Sequence, residues 1–316
     1  MRDMIRIGVS ACVLGEKVRF DGSHARDAFI TDTLAKHVEF IPLCPEVACG
    51  MGIPREKVRQ VDCAGDIRLI GHESGEDWTD RMNAWAGRLL NELEQDGLCG
   101  FVVRNASPSC ALMQGKIFST TGGPVRRGAG FFTARLLERH PLLPIETEER
   151  LQTPLLRENF IRRVFVLKRW RDLLARGMQI GHLVDFHTRH KMLIRAHDLR
   201  GYRELGHLLG ESSVFNTAEV FAAYGALLFR SLSLKATPNK NADVLMHAMG
   251  FFKRDLDSRD KQEVLDKIAE YKAGRIPLII PVTLLNHYAR KFDKPYLAQQ
   301  FYLNPDPAEL KLLNHV

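Results

Sequence analysis

The sequence predicts an α/β domain with a mainly parallel, Rossmann-like sheet over residues 1–150, followed by an all-α helical domain over residues 151–316. Three observations carry that prediction. Short apolar runs alternate with stretches of helical periodicity through the first 145 residues, the pattern of strands joined by crossovers. A segment rich in proline and acid, Pro141 to Pro154, then reads as a closing linker. Beyond it the periodicity is helical, and no repeat of about 20–50 residues marks a solenoid.

The elements follow in order. Ile5–Val9 and Val38–Leu43 are short apolar runs that read as buried strands, with a helix expected between about Asp27 and His37. Ile67–Ile70 reads as a further strand. From about Trp78 to Gln95, Trp78, Met82, Trp85, Leu89, Leu90 and Leu93 share one helical face, so these tryptophans are expected in a core. Gly100–Val103 is another apolar run. Gly122–Gly130, with Arg126 and Arg127, precedes a helix through Thr133–Leu137; it could cradle a phosphate, but it lacks both the dinucleotide and the P-loop spacing, and a surface loop is the alternative. In the second half a basic amphipathic helix is expected over Asn159–Arg176, then helices over Gly181–Leu209, Thr217–Leu232, Asn239–Phe252, Asp257–Ala273 and Val282–Lys291.

Hydrophobic residues make up 45% and charged residues 26%, the balance of a soluble globular protein. No run of about 18 apolar residues suggests a membrane span. The start leads directly into a strand-like run without a signal-peptide core, so a cytoplasmic location is expected. Six cysteines are too few for a disulfide scaffold in a chain of 316 residues.

Three of those cysteines follow apolar runs. Cys12 follows Ile5–Val9, Cys44 follows Val38–Leu43, and Cys110 follows Gly100–Val103 through the turn Asn105–Ser109. If those strands are neighbours, the thiols converge on the crevice beyond their carboxyl ends. Spacings of 32 and 66 residues, with no C-x₂-C pair, do not suit a structural zinc site. An iron–sulfur cluster suits them better, and three thiolates would leave one iron of a [4Fe–4S] cluster without a protein ligand. Glu46, beside Cys44, and Ser107, three residues before Cys110, would bring a general base or acid and a hydroxyl to that position.

Ser10-Ala11-Cys12-Val13-Leu14-Gly15, Val18-Arg19-Phe20-Asp21-Gly22, Cys44-Pro45-Glu46-Val47 and Ser107-Pro108-Ser109-Cys110 resemble, in order, the motifs of the thiouracil desulfidase family. The resemblance spans about residues 5–145. It implies a [4Fe–4S] cluster held by Cys12, Cys44 and Cys110, with Glu46 and Ser107 as catalytic partners, removing sulfur from a thiolated pyrimidine without net redox chemistry. Cys49 departs from the pattern: it is either a fourth ligand or a spectator. Cys63 and Cys99 lie outside every motif. In the second half, Asp185–Lys191, Ala196-His197 and Tyr202–Gly206 resemble a domain found alone or fused behind the desulfidase domain. That fused arrangement is similar to bacterial tRNA 4-thiouridine desulfidases, which implies a tRNA carrying 4-thiouridine as substrate, the base turned out of its stack to reach the cluster.

Charge is compatible with that partner. Residues 1–158 hold 20 Lys and Arg against 22 Asp and Glu, a balance of −2, whereas residues 159–316 carry +9. Arg162, Arg163, Lys168, Arg169, Arg189, Lys191, Arg195, Arg200 and Arg203 are the candidates for contacts to an RNA backbone. His187, His190 and His197 share a helical face and could bind a metal, with core packing the alternative. Two competing functions stand beside the tRNA desulfidase: the same chemistry on a free thiouracil, and a non-catalytic RNA-binding protein with a structural cluster.

Overall fold

The computed structural model describes residues 4–95 and 97–313. They fall into two compact units, Met1–Phe160 with Val164–Lys168, and Ile161–Arg163 with Arg169–Val316.

The first unit is α/β, built on two four-stranded sheets. Strands β1 (Ile5–Ser10), β2 (Val38–Leu43), β5 (Gly100–Val103) and β8 (Ile145–Thr147) form a wholly parallel sheet in the order β2-β1-β5-β8. The inner strand β5 is buried at every residue, and β1 at all but Arg6, which is why both read as nearly unbroken apolar runs. Pro42 donates no backbone hydrogen bond and is accommodated because β2 is an edge strand. At Gly8 a Cβ would stand 2.4 Å from the Phe101 ring, so only glycine lets that ring lie against β1.

The second sheet, in the order β4-β3-β6-β7, is mixed. Strands β3 (Val58–Cys63) and β4 (Asp66–Gly71) form a hairpin through Ala64 and Gly65, both at positive φ as a two-residue turn of this hand requires. Strands β6 (Gly115–Ser119) and β7 (Pro124–Gly128) form another, so Gly122–Gly130 is no phosphate cradle opening a helix: it is a hairpin turn and an exposed edge strand. The helix α2 (Thr79–Gln95) buries Met82, Ala86, Leu90 and Leu93. Trp78 and Trp85 pack with Met51, Val58, Leu69 and Phe131, as the helical spacing predicts.

Two stretches depart from expectation. Asp27–His37 is not one helix but a wide turn over Phe29–Thr33 and a 3₁₀ turn over Leu34–Lys36. Its β-branched Ile30, Thr31 and Thr33 favour helix weakly, and the Thr31 hydroxyl bonds the Asp27 carbonyl at 3.0 Å. The expected linker Pro141–Pro154 contains the buried strand β8. Its acids are not solvent-facing: Glu146 and Glu148 are buried and salt-bridged to Arg150 and Arg104.

The helix α4 (Pro154–Ala175) contributes residues to both units. It is not the amphipathic helix expected, because Phe160, Ile161, Val164, Phe165, Val166, Leu167, Trp170 and Leu173 are all buried and cover most of its circumference. The second unit is mostly helical, with α5 (Ile180–His197), α6 (Leu199–Gly210), α7 (Thr217–Ser233), α8 (Pro238–Met249), α9 (Ser258–Lys272), α10 (Ile279–Lys291) and two short terminal helices. Asp198 breaks the periodicity of 181–209 by capping α6, its carboxylate accepting the Arg200 N–H at 3.0 Å. Trp170, Phe186, Phe221 and Tyr224 interlock at the centre, with ring centroids 5.5–5.9 Å from that of Trp170. Among the described residues no helix is long and apolar enough to cross a membrane.

Candidate active site

The strands that precede Cys12, Cys44 and Cys110 are β1, β2 and β5, three immediate neighbours running in one direction. All three cysteines therefore leave the same edge of the sheet, and all three line one cavity of about 340 Å³ together with Glu46 and Ser107.

Each is held by its own local structure. Cys12 lies in the single 3₁₀ turn Ala11–Leu14, which Gly15 ends at φ +101°; its carbonyl accepts the Ala25 N–H at 2.8 Å. Cys44 is the residue before the short helix α1 (Pro45–Ala48), with Pro45 and Glu46 in its first turn. The Ser107 hydroxyl accepts the N–H groups of Ser109 and Cys110 at 3.2 and 3.1 Å, closing the turn that presents the third thiol. That turn is clamped from behind by α3 (Phe131–Arg139). The Phe131 and Phe132 N–H groups donate to the Pro108 and Ser109 carbonyls, and the Thr133 hydroxyl donates to the Cys110 carbonyl at 2.7 Å. A Cβ on Gly130 would lie 2.5 Å from the Ser109 backbone, so the approach requires glycine.

Glu46 does not stand free at the cavity. Its Oε2 accepts Arg55 Nε at 3.0 Å and Nη2 at 2.6 Å, and its Oε1 accepts the Ser109 hydroxyl at 2.8 Å. The two side chains of the ion pair are only 12% and 7% exposed, so the carboxylate is fixed in place. One lone pair of Oε1 remains for a further donor. Nothing in the spacing pointed to Arg55; Ser109 could have been found, since it stands two residues from Ser107 and next to Cys110.

Burial is the largest influence on all three thiols. It pushes Cys12 up to about 11, with Cys44 adding to the rise and Arg104 and Arg19 opposing it. It raises Cys44, against the backbone N–H groups of Val47 and Glu46. It raises Cys110 furthest, where Glu46 and Cys44 add to it and a hydrogen bond from Ser10 opposes it. Buried, soft and protonated donors of this kind give up their protons when they bind a thiophilic metal. Among the described residues no three Cys, His, Asp or Glu side chains are close enough to hold one metal ion. The cysteines of a cluster bind different irons and so need not surround a single point. Three thiols around one cavity, with cations beside them, fit such a group.

The other cysteines lie elsewhere. The Cys49 thiol reaches the Glu46 carbonyl at 3.3 Å and packs with Met51 and Met82 outside the cavity lining. Cys99 is buried, and Cys63 ends β3. The three histidines of α5 are dispersed: His187 Nδ1 bonds the Tyr224 hydroxyl, His190 Nδ1 the Phe186 carbonyl, and His197 Nδ1 the Leu234 carbonyl.

The cations expected to face RNA divide into two groups. Arg189, Arg200 and Arg203 are exposed, and Lys168, Lys191, Arg163 and Arg195 are half-buried. Arg162 is buried, with its guanidinium near the Tyr302 ring. Arg169 is 11% exposed and bonds Asp306, the fully buried Glu309 and His190 Nε2. Neither lies on a solvent face, because α4 has none wide enough.

Residues 7–148 match the family model described as 2-thiouracil desulfurase, and residues 191–307 match that of a protein of unknown function (DUF1722). An uncharacterized protein of Escherichia coli, YbgA, is 30% identical over 151 residues, covering 48% of this chain and 89% of its own length. YbbK of Bacillus subtilis, also uncharacterized, is 31% identical over 137 residues, covering 42% of this chain and 88% of its own. The chain belongs to the 2-thiouracil desulfurase family. A solved structure of a [4Fe-4S]-dependent thiouracil desulfidase, TudS, is 31% identical, covers 47% of this chain and 93% of its own, and has a TM-score of 0.38. The desulfurase match spans every residue of the cysteine cavity.

Proposed function

We propose that this desulfurase-family protein removes the 4-thio group of 4-thiouridine in tRNA by hydrolysis, using a [4Fe–4S] cluster held by Cys12, Cys44 and Cys110. The observation that carries the reading is the arrival of three thiols, from three adjacent parallel strands, at a cavity that also holds Glu46. When bound, the cluster would supply a Lewis acid with an affinity for the thiocarbonyl sulfur.

The chain's own residues do the rest. A cavity of about 340 Å³ accepts a pyrimidine but not a paired stem, so the base must be turned out of its stack. Arg55 and Ser109 fix the Glu46 carboxylate, and the remaining lone pair of Oε1 takes the proton of the water that attacks C4. The Ser107 hydroxyl, its oxygen engaged by two backbone N–H groups, still has its proton to donate into the cavity. Water supplies the oxygen, the C4–S bond breaks, and uridine and hydrogen sulfide leave with no net electron transfer. In the second unit, the +9 balance of residues 159–316 and the exposed Arg189 and Arg203 support a role in holding the RNA backbone.

A free thiouracil is the second reading, favoured by the description of the family itself. Anaerobically prepared protein is incubated with thiolated tRNA and, separately, with 2-thiouracil. Loss of the 4-thiouridine absorption from tRNA supports the first reading; consumption of the free base alone supports the second. An inactive protein that contains iron and acid-labile sulfide would overturn both.

A further inference from the structure

We propose that Arg19 and Lys57 form a phosphate subsite at the mouth of the cysteine cavity, so that the favoured substrate is a thiolated pyrimidine still carrying its nucleotide phosphate. The inference deepens the desulfidase reading and rests on it. Four cations line the cavity, Arg19, Arg55, Lys57 and Arg104, against one carboxylate, Glu46. Arg55 is spent on Glu46, and Arg104 is spent on Glu148. Arg19 and Lys57 form no salt bridge among the described residues. Asp21 is near in sequence, but its carboxylate is turned to the Ser23 hydroxyl and N–H, at 2.6 and 3.0 Å.

The two cations share one support. The Arg19 guanidinium lies 5.8 Å from the centroid of the Phe20 ring, and the Lys57 ammonium lies 5.0 Å from it. An aromatic face attracts a cation without neutralising it. The loop that carries them is fixed: Gly22 N–H donates to the Arg19 carbonyl, Arg55 N–H to the Phe20 carbonyl, and Arg55 Nη2 to the Val18 carbonyl at 3.0 Å. Two unspent charges held beside a cavity concentrate anions there. A neutral free base gains nothing from them, whereas a phosphate gains a planar guanidinium donor and an ammonium. Arg19 also opposes the rise at Cys12, so balancing a bound cluster is the competing role. Lys57 is exposed and is not among the leading influences on any of the three thiols.

The test titrates cluster-loaded full-length protein with uridine 5′-monophosphate and with uridine by calorimetry. The monophosphate is expected to bind at least roughly tenfold tighter, and Arg19→Gln or Lys57→Gln to remove most of that preference, as loss of a charge-assisted hydrogen bond does. The same variants should reduce the ratio of kcat/KM for 4-thiouridine 5′-monophosphate over 4-thiouracil. Thiolated tRNA turned over in preference to the mononucleotide, with the same sensitivity to both variants, would assign the phosphate to a polymer backbone. Equal affinity for uridine and its monophosphate overturns the subsite. So does a parallel loss for both ligands, or a loss of iron in the Arg19→Gln and Lys57→Gln proteins. Arg19-dependent monophosphate binding in a protein that desulfurates nothing would instead sink the desulfidase reading and leave the subsite standing.

Discussion

Arg55 grips one oxygen of Glu46 with two N–H donors, at 2.6 and 3.0 Å, from a position nine residues downstream that no spacing rule connects to it. Both groups are almost wholly buried, so each depends on the other. Removing the guanidinium leaves a buried carboxylate without its counter-charge, which costs about 3–5 kcal/mol. Arg55→Ala should therefore lower the unfolding free energy by about that amount, read by urea denaturation. Glu46→Gln retains the contact with Ser109 and should keep iron and sulfide while losing desulfuration by at least roughly a hundredfold. A Glu46→Gln protein with full activity would remove Glu46 from the chemistry.

Cluster retention separates the cysteines. Cys12→Ala, Cys44→Ala and Cys110→Ala should each abolish stoichiometric iron and acid-labile sulfide, because each thiol lines the one cavity. Cys49→Ala and Cys63→Ala should retain both, since neither lines it. Loss of the cluster in Cys49→Ala would make that thiol a fourth ligand.

Gly130→Ala tests how tightly the third thiol is presented. The new methyl would meet the Ser109 backbone at 2.5 Å, and backbone cannot swing aside as a long side chain can. A loss of about 1–3 kcal/mol in stability is expected, with reduced iron content, because the displaced turn carries Cys110. Unchanged melting and full loading would show that the clamp is slack.

The parallel sheet was legible because Ile5–Val9, Val38–Leu43 and Gly100–Val103 are apolar on both faces, which buried parallel strands require. Their adjacency was not, since the order β2-β1-β5 depends on pairing between residues about 30 to 95 positions apart. β8 was mistaken for a linker because Pro141, Pro144, Glu146, Glu148 and Glu149 carry the composition of a loop. The buried acids are tolerated only because Arg104 and Arg150 meet them. Arg162 and Arg169 were assigned to an outer face on charge alone. Glu309, buried at 0% exposure beside Arg169, shows that the charge answers another charge inside the unit.

That difference gives a prediction for the helical unit. Arg169→Ala should destabilise it by about 3–5 kcal/mol by stranding Glu309. Arg189→Glu with Arg203→Glu should leave the melting temperature within a few degrees and weaken tRNA binding, with a shallower salt dependence. Unaltered tRNA affinity in that double variant would remove the exposed arginines from the RNA interface.

Acid should loosen the same unit early. Burial lowers His187 to about 4 and His197 to about 3, and lowers His190 well below its ordinary value. The unfolded chain takes up protons near pH 6.5 while the folded unit does not, so stability is complete above pH 6.5 and falls as the pH drops toward 4 and 3. Each buried histidine contributes a slope of up to about 1.4 kcal/mol per pH unit in that window. Thermal melts between pH 7 and 5, where most carboxylates remain ionised, should show the decline; a flat profile would contradict the burial of neutral imidazoles.

The order of the strands also sets a timetable for synthesis. A growing chain exposes Cys12 and Cys44 well before the ribosome reaches Cys110, and the third thiol joins them only once Gly100–Val103 has inserted beside Ile5–Ser10. An inorganic cofactor offered to the nascent protein meets an incomplete grip. Whatever donates iron and sulfide must therefore act on a finished sheet, and must pass Arg19 and Lys57 to reach it.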